Sequence, residues 1–349
     1  MSQLQAHYEA VRERRGYDAV DVPIGDLSAS YGRNRFAFTE DADAVARATP
    51  AETCVSVGLS MTGAPHVGTL GQIQSAVDLQ RAGFHVQLVL ADMVVYNAGE
   101  ADIEILRARA ERYRKLALEM GFDPERGRIY SQDESHGVLH TGFLLARDYD
   151  PDAGDGRDER STEFEEALDA AYDDLDESSD ATEFSRALCG LLLAADSINP
   201  LLKDEYERVL LALGADNVGL ARHIDAVRER AGVDGSVVGL YSRLVDGVDD
   251  TPKMSKSIPG SSVHLDMDPE TLRESVRDPD LDADRPAESV VFQMMRHASP
   301  YSASTLDDLR AVCDGNSAGT RSGERWSEAV REYADYLADL AETWRRTAG

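Results

Sequence analysis

Cys54-Val55-Ser56-Val57-Gly58-Leu59-Ser60-Met61-Thr62-Gly63-Ala64-Pro65-His66-Val67-Gly68-Thr69 is the stretch that decides the fold. Cys54 to Leu59 is a short apolar run, as expected of a buried strand. Gly63 and Pro65 punctuate the following loop. Leu70, Ile73, Val77 and Leu79 then recur at helical spacing, up to a stop at Gly83. Strand, loop and helix in that order are the first unit of an α/β architecture. The pattern repeats outward. Phe84 to Asp92 reads as a strand and Tyr96 to Gly99 as a turn. Glu104 to Met120 reads as an amphipathic helix with Ile105, Leu106, Tyr113, Leu116, Ala117 and Met120 inward. Arg128 to Ser131 is a short strand leading to Gln132. Leu191 to Asp196 reads as a helix ending near a pocket. Arg208 to Leu213 and Ser236 to Tyr241 read as further strands. Such alternation predicts a doubly wound parallel sheet. Ligands of these sheets lie beyond the carboxyl ends of the strands. That edge would hold the His66 loop, Asp92, Gln132 and Gly214-Ala215-Asp216-Asn217.

Three regions break the alternation. Residues 1–50 read as an N-terminal extension strapped across the core, with a helix over Leu4–Arg15 and a turn-like basic patch at Tyr31-Gly32-Arg33-Asn34-Arg35. Residues 133–190 read as an insertion. From Asp148 to Glu183, 16 of 36 residues are acidic, which marks a solvated face with exposed loops at Gly154–Gly156 and Ser178–Asp180. The catalytic region would therefore be 51–262. Residues 263–349 read as a helical bundle, with helices over Pro269–Val276, Glu288–His297, Thr305–Cys313 and Arg325–Arg346. Trp344, Arg345 and Arg346 could stack on RNA, or close the helical core and cap its last helix.

Composition narrows the class. The 349 residues carry 36 Lys plus Arg against 65 Asp plus Glu, a net charge of −29. Lysine scarcity and acidic excess along the whole chain fit a halophilic cytosol. At molar salt the Debye length falls to about 3 Å. No run approaches the roughly 18 apolar residues of a membrane span, and Met1 to Gln5 lacks a signal-peptide pattern. A cytoplasmic location is expected. Cys54, Cys189 and Cys313 are widely spaced and read as buried thiols. With no His or Cys cluster either, no bound metal of the protein's own is expected.

Chemistry concentrates in a few places. Lysine occurs at only Lys115, Lys203, Lys253 and Lys256, so Lys253-Met254-Ser255-Lys256-Ser257 holds two of the four. A lysine is a compact charge on a flexible stem, suited to following phosphates. The flanks, rich in Asp, Pro, Gly and Ser, read as a mobile loop. His66, Gly68 and Thr69 sit at a helix N-terminus, where free N–H groups favour an anion. There His66 either caps the helix or donates to phosphate. Gly214 and Asp216 at a strand end suit ribose hydroxyls, or simply make a turn. Asp196 closes an apolar run and needs a partner, either an internal cap or a ligand donor.

Taken together these landmarks resemble the class I aminoacyl-tRNA synthetases. Lys253 to Ser257 is their second signature letter for letter. Pro65 to Thr69, about 190 residues earlier, stands where their first belongs. Gly121 to Arg126, Ala194-Ala195-Asp196 and Gly214 to Asn217 add a likeness to the tryptophan and tyrosine branch over about residues 50–300. The resemblance implies a Rossmann-like catalytic domain and a smaller C-terminal helical domain that binds tRNA at its anticodon. It implies ATP and Mg2+ as cofactors, and a homodimer. Lys253, Lys256, His66 and Thr69 would be catalytic. Pro65, Gly68, Gly214, Asp216, Met254 and Ser255 would hold ATP. Gln132, Leu193 and Asp196 would hold the amino acid. Leu192 to Asp196 looks like the tryptophan enzymes, in which the aspartate accepts the indole N–H. The tyrosine enzymes' glutamine, where Leu193 stands, and their tyrosine on the first strand are missing. The implied activity is adenylation of tryptophan and its transfer to tRNA(Trp). Thr69 replaces a histidine and Asn217 a glutamine, which leaves open tyrosine or lysine as substrate. A paralogue that adenylates a small molecule, or binds without charging tRNA, also stays open.

Overall fold

The computed structural model describes residues 2–151, 161–173, 182–247, 251–256, 258, 260–277, 289–313 and 320–347. Helix α1 (Gln3–Arg15) starts at Ser2, whose side chain caps the N–H of Gln5, and stops at Gly16 in the left-handed region. Helix α2 (Ala29–Arg35), capped by Ser28, occupies the segment expected to be a basic turn. Its Arg35 is buried rather than exposed and binds backbone carbonyls. Strand β1 (Phe36–Thr39) and helix α3 (Ala42–Ala46) complete the N-terminal segment. This segment supplies a strand as well as a strap. β1 is fully buried and pairs antiparallel with the last strand of the sheet.

The core units follow as their apolar periodicity predicts. They are β2 (Thr53–Leu59), α4 (Val67–Arg81), β3 (His85–Leu90), α5 (Asp92–Asn97), α6 (Ile103–Glu119) and β4 (Gly127–Ser131). On α6, Leu106, Tyr113, Leu116 and Ala117 face the core, but Ile105 is half exposed. Ile105 lies in the first turn of the helix, to one side of the Leu106, Ala110, Tyr113 and Ala117 stripe that packs inward. Tyr96 and Asn97, read as part of a turn, end α5. Between β4 and the next strand lie α7 (His136–Leu145), α8 (Glu163–Asp173) and α9 (Glu183–Leu202). The acidic loops expected at 154–156 and 178–180 lie outside the described residues. Then come β5 (Arg208–Gly214), α10 (Leu220–Arg230) and β6 (Ser236–Ser242).

Among the described residues the sheet has six strands in the order β1-β6-β5-β2-β3-β4, parallel except at the β1 edge. The order reverses around β2, so β2 and β5 flank the switch point where such sheets bind ligands. The chain ends in helices α11 (Pro269–Arg277), α12 (Val290–Ala298), α13 (Ala303–Cys313) and α14 (Thr320–Arg346). Trp344 settles one reading on its core alternative. It is buried against Tyr113 and Arg112, and its indole N–H donates to Asp266 Oδ1 at 2.7 Å. Cys54 is buried, while Cys189 is only partly so. No described helix is long and apolar enough to cross a membrane.

Candidate active site

A cleft of about 420 Å³ opens at the carboxyl edge of β2, β5 and β6. Gly58, His66, Gly68, Thr69, Leu193, Gly214, Asp216, Lys253, Met254, Ser255 and Lys256 all line it. Asp196 lies deeper, at an adjoining small apolar hollow that shares Gly58, Ala91, Leu193 and Leu213 with the cleft, and Gln132 lines neither but is buried and hydrogen-bonded to Asp196. Pro65 sits behind the cleft in the first loop, its carbonyl accepting from Leu265 N–H at 2.9 Å.

His66 takes its capping reading with one ring nitrogen. It is the N-cap of α4, and its Nδ1 accepts the N–H of Gly68 at 2.8 Å and of Thr69 at 3.4 Å. An accepting Nδ1 leaves the proton on Nε2 as a donor. Burial, then the charges of Lys256 and Lys253, holds the ring well below the usual histidine range, so it stays neutral. Gly68 is needed by this cap. A Cβ there would lie 2.4 Å from the imidazole Cε1.

The two lysines are anchored differently. Lys253 Nζ donates to Asp216 Oδ2. Asp216 Oδ1 also accepts from Asn217 at 3.0 Å, and a Cβ on Gly214 would strike that same oxygen. Lys256 Nζ donates to the Ser60 carbonyl and to Tyr113 Oη, the latter at 3.1 Å. Burial and the Arg109 guanidinium push Lys256 down to about 7. The described part of the lysine loop is tied down rather than loose. Ser255 N–H donates to Ser261 Oγ at 3.1 Å, and Met254 N–H to the Val245 carbonyl at 2.9 Å. Ser257 lies outside the described residues. Beyond the loop, Val263 to Leu265 runs against Pro65 to Val67, with His66 and His264 as bridge partners, so the two signature segments share backbone hydrogen bonds.

At the hollow, buried Asp196 accepts from Tyr130 Oη at 2.8 Å and from Gln132 Nε2 at 2.6 Å. Burial pushes this carboxyl up to about 7, against the pull of both hydrogen bonds and of Arg128. Tyr130 was not among the expected site residues. Its signal was present, because Tyr130 and Gln132 are two apart on an extended run and so share a face. Tyr113 and Arg109 were missed as well. Tyr113 Oη donates to the Gly63 carbonyl at 3.0 Å and Arg109 donates to that of Met61, so α6 holds the signature loop. His297 arrives from α12, distant in sequence. Its Nε2 lies 3.1 Å from the Gly68 carbonyl, and its ring fills the space a Cβ on Gly71 would need. Among the described residues no group of three or more His, Cys, Asp or Glu could hold a metal ion.

Residues 50–149 match the model of the family described as tRNA synthetases class I (W and Y). This region is a class I tRNA synthetase domain. The tyrosine–tRNA ligase of Methanopyrus kandleri is 30% identical over 231 residues, 65% of this chain and 64% of that protein. The tryptophan–tRNA ligase of the same organism is 27% identical over 225 residues, 63% of this chain and 54% of that one. The chain thus matches a little over half to just under two thirds of the length of these relatives. A tryptophanyl-tRNA synthetase homolog from Entamoeba histolytica shares the fold, with a TM-score of 0.68 at 14% identity over 99% of this chain and 94% of that one. The Rossmann-like class I synthetase core expected from the two signatures is therefore present, and it matches relatives of both specificities.

Proposed function

We propose that this chain is an aminoacyl-tRNA ligase that activates tryptophan with ATP and transfers it to tRNA(Trp). The observation that carries the substrate is the hydrogen-bond arrangement at Asp196. Tyr130 and Gln132 already direct their donors at this carboxylate. A carboxylate has about four acceptor sites, so capacity remains for one more donor. An indole N–H only donates and matches that. A phenol hydroxyl would also call for a donor, and Tyr130 and Gln132 already direct theirs to Asp196. Leu193 and the apolar lining match an aromatic ring in character, and the hollow, about 40 Å³, adjoins the larger cleft. Tyrosine is the second reading, favoured by the higher identity to a tyrosine ligase.

In the first step the amino-acid carboxylate attacks the α-phosphorus. A new C(O)–O–P bond forms as the bond to pyrophosphate breaks. Such transfers depend on positioning and charge stabilisation. His66 Nε2–H would meet a phosphate oxygen, with the Thr69 hydroxyl beside it. Lys253 would leave Asp216 for the phosphates and free that carboxylate for a ribose hydroxyl. Lys256 would stabilise the leaving pyrophosphate. Gly68, Gly214, Met254 and Ser255 shape the walls around the nucleotide, and Pro65 supports the loop from behind. Magnesium would arrive on the ATP phosphates and add positive charge there. Asp196 and Gln132 orient the side chain.

The regions 1–50, 51–262 and 263–349 are read as extension, catalytic domain and tRNA-binding helical domain. The chain is also read as a homodimer. Phe143 on α7 is 83% exposed and Phe184 on α9 is 75% exposed, apolar side chains each suited to burial between subunits. The test of function is charging itself, with purified protein, [14C]tryptophan or [14C]tyrosine, and tRNA from an archaeal halophile. Tryptophanyl-tRNA alone supports the reading, and tyrosyl-tRNA alone replaces it with the second.

A further inference from the structure

In a chain of net charge −29, arginines usually find carboxylates, and most here do. Arg228 lies 2.6 Å from Asp225, Arg107 2.8 Å from Asp133, and Arg273 3.0 Å from Asp335. Arg12, Arg243, Arg296 and Arg310 are among the described arginines that do not. Among the described residues none of the four forms an ion pair, although all converge. Tyr8 and Arg12 lie one turn apart on α1, and Phe292 and Arg296 one turn apart on α12. Arg243, just past β6, lies 5.4 Å from the Tyr8 ring centroid, and Arg310 of α13 lies 5.8 Å from that of Phe292. The backbone ties the two pairs together. Arg243 N–H donates to the Arg35 carbonyl at 3.0 Å, and Arg35 Nη1 donates to the Arg296 carbonyl at 2.8 Å.

Like charges held this close repel. Arg243 is depressed by burial and then by Arg310 and Arg12 against the opposing pull of Tyr8, and Arg296 by burial, Arg243 and Arg310. The described acid that offsets Arg296 is Asp246, which is itself engaged by Gln293 at 2.7 Å. The Arg12 Nε–H is buried with no hydrogen-bond partner. All four residues are partly exposed, with the guanidinium groups of Arg243 and Arg296 set deep. Planar guanidinium forks match phosphate oxygens in pairs. The cluster is distinct from the lysine pair, yet it touches the cleft, because Arg243 lines it.

We propose that Arg12, Arg243, Arg296 and Arg310 form a docking site for consecutive backbone phosphates of the RNA substrate, at the mouth of the adenylation cleft. The proposal rests on the reading of this chain as a tRNA ligase. It names where an acidic protein meets a polyanion: an exception in its surface charge, next to the place where the acyl group is transferred.

The test uses Arg12→Gln/Arg310→Gln in the full chain, since neither residue lines the cleft. Fluorescence anisotropy with unfractionated tRNA across a potassium chloride series gives Kd and its salt slope. Each lost phosphate contact lowers the slope by about 0.7–0.9. The double variant should bind tRNA at least about 10-fold more weakly, with a slope reduced by roughly 1.5, while ATP–pyrophosphate exchange without RNA stays within about twofold. Arg12→Lys/Arg310→Lys should restore the slope. Unchanged Kd and slope overturn the proposal. So does protection of the wild type alone by millimolar inorganic phosphate with tRNA binding unaffected, which would make this a free-anion site. Absence of exchange with any amino acid would remove the ligase reading instead, and the RNA titration would still report on the cluster.

Discussion

Lys253 of the second signature donates to Asp216, the carboxylate at the end of β5 that the nucleotide's ribose is expected to need. On the proposed reading this one contact links the phosphate end of the site to its sugar end, and ATP would exchange it for two others. Lys253→Ala removes the phosphate partner but leaves the ribose partner free. The rate of adenylate formation should fall by about 10²–10³-fold, while the Kd for ATP changes by less than about threefold. Rapid-quench and equilibrium-binding measurements separate the two. Equal losses in both would contradict a role confined to the transition state.

Lys256 gives a pH signature. Its folded-state value is about 7, well under the ordinary lysine range. Between about pH 7 and 10 the unfolded chain therefore holds a proton that the folded chain has released, and this group's contribution to stability rises with pH across that window. Phosphate binding needs the charged form, so ATP should drive proton uptake above pH 7. Calorimetry at pH 8 in two buffers of different ionisation enthalpy should report close to one proton taken up per ATP. Lys256→Met should abolish the uptake.

Asp196 titrates with the opposite sign. Its carboxyl is raised to about 7 from the ordinary aspartate range. The folded state holds the proton more tightly than the unfolded chain, so the contribution of this group is full below about pH 4 and is lost as pH rises through 7. Asp196→Asn should flatten the melting temperature of the protein between pH 4 and 7 relative to wild type. It should also raise the KM for the amino acid by about 10-fold or more, through loss of the acceptor.

Gly71 admits the ring of His297, which would lie 2.2 Å from a Cβ at that position. Gly71→Ala should destabilise the protein by about 1–3 kcal/mol through overpacking, outweighing any gain in helix propensity. It should also weaken ATP binding, because His297 reaches the Gly68 carbonyl beside the His66 cap. A urea titration and an ATP Kd would check both. An unchanged midpoint would mean that α12 moves aside without cost.

How much of this was legible beforehand depends on the range of the interaction. The strand, loop and helix from Thr53 to Arg81 are written in local periodicity, and so are the two signatures. β1 was not legible, because Phe36 to Thr39 is four residues long and gains its stability from pairing with β6, some 200 positions away. Arg33 and Arg35 made their segment look like a basic turn, yet Arg35 is buried and its Nη1 is held by carbonyls of α12 that no local pattern announces. The same holds at the site. His66, Lys253 and Asp216 were found by residue type and spacing. His297 was not, since its role arises only from the packing of α12 on α4. Trp344 shows the reverse hazard. A tryptophan beside two arginines looks like an RNA contact, but its indole is committed to Asp266 and Arg112.

ATP–pyrophosphate exchange with each of the twenty amino acids, in molar potassium chloride, is the plainest measure of the claim that this chain activates an amino acid. Exchange dependent on tryptophan alone is the expected result. Exchange with tyrosine alone would shift the specificity assigned to Asp196 and keep the mechanism. No exchange with any amino acid, from protein shown to be folded, would contradict the claim.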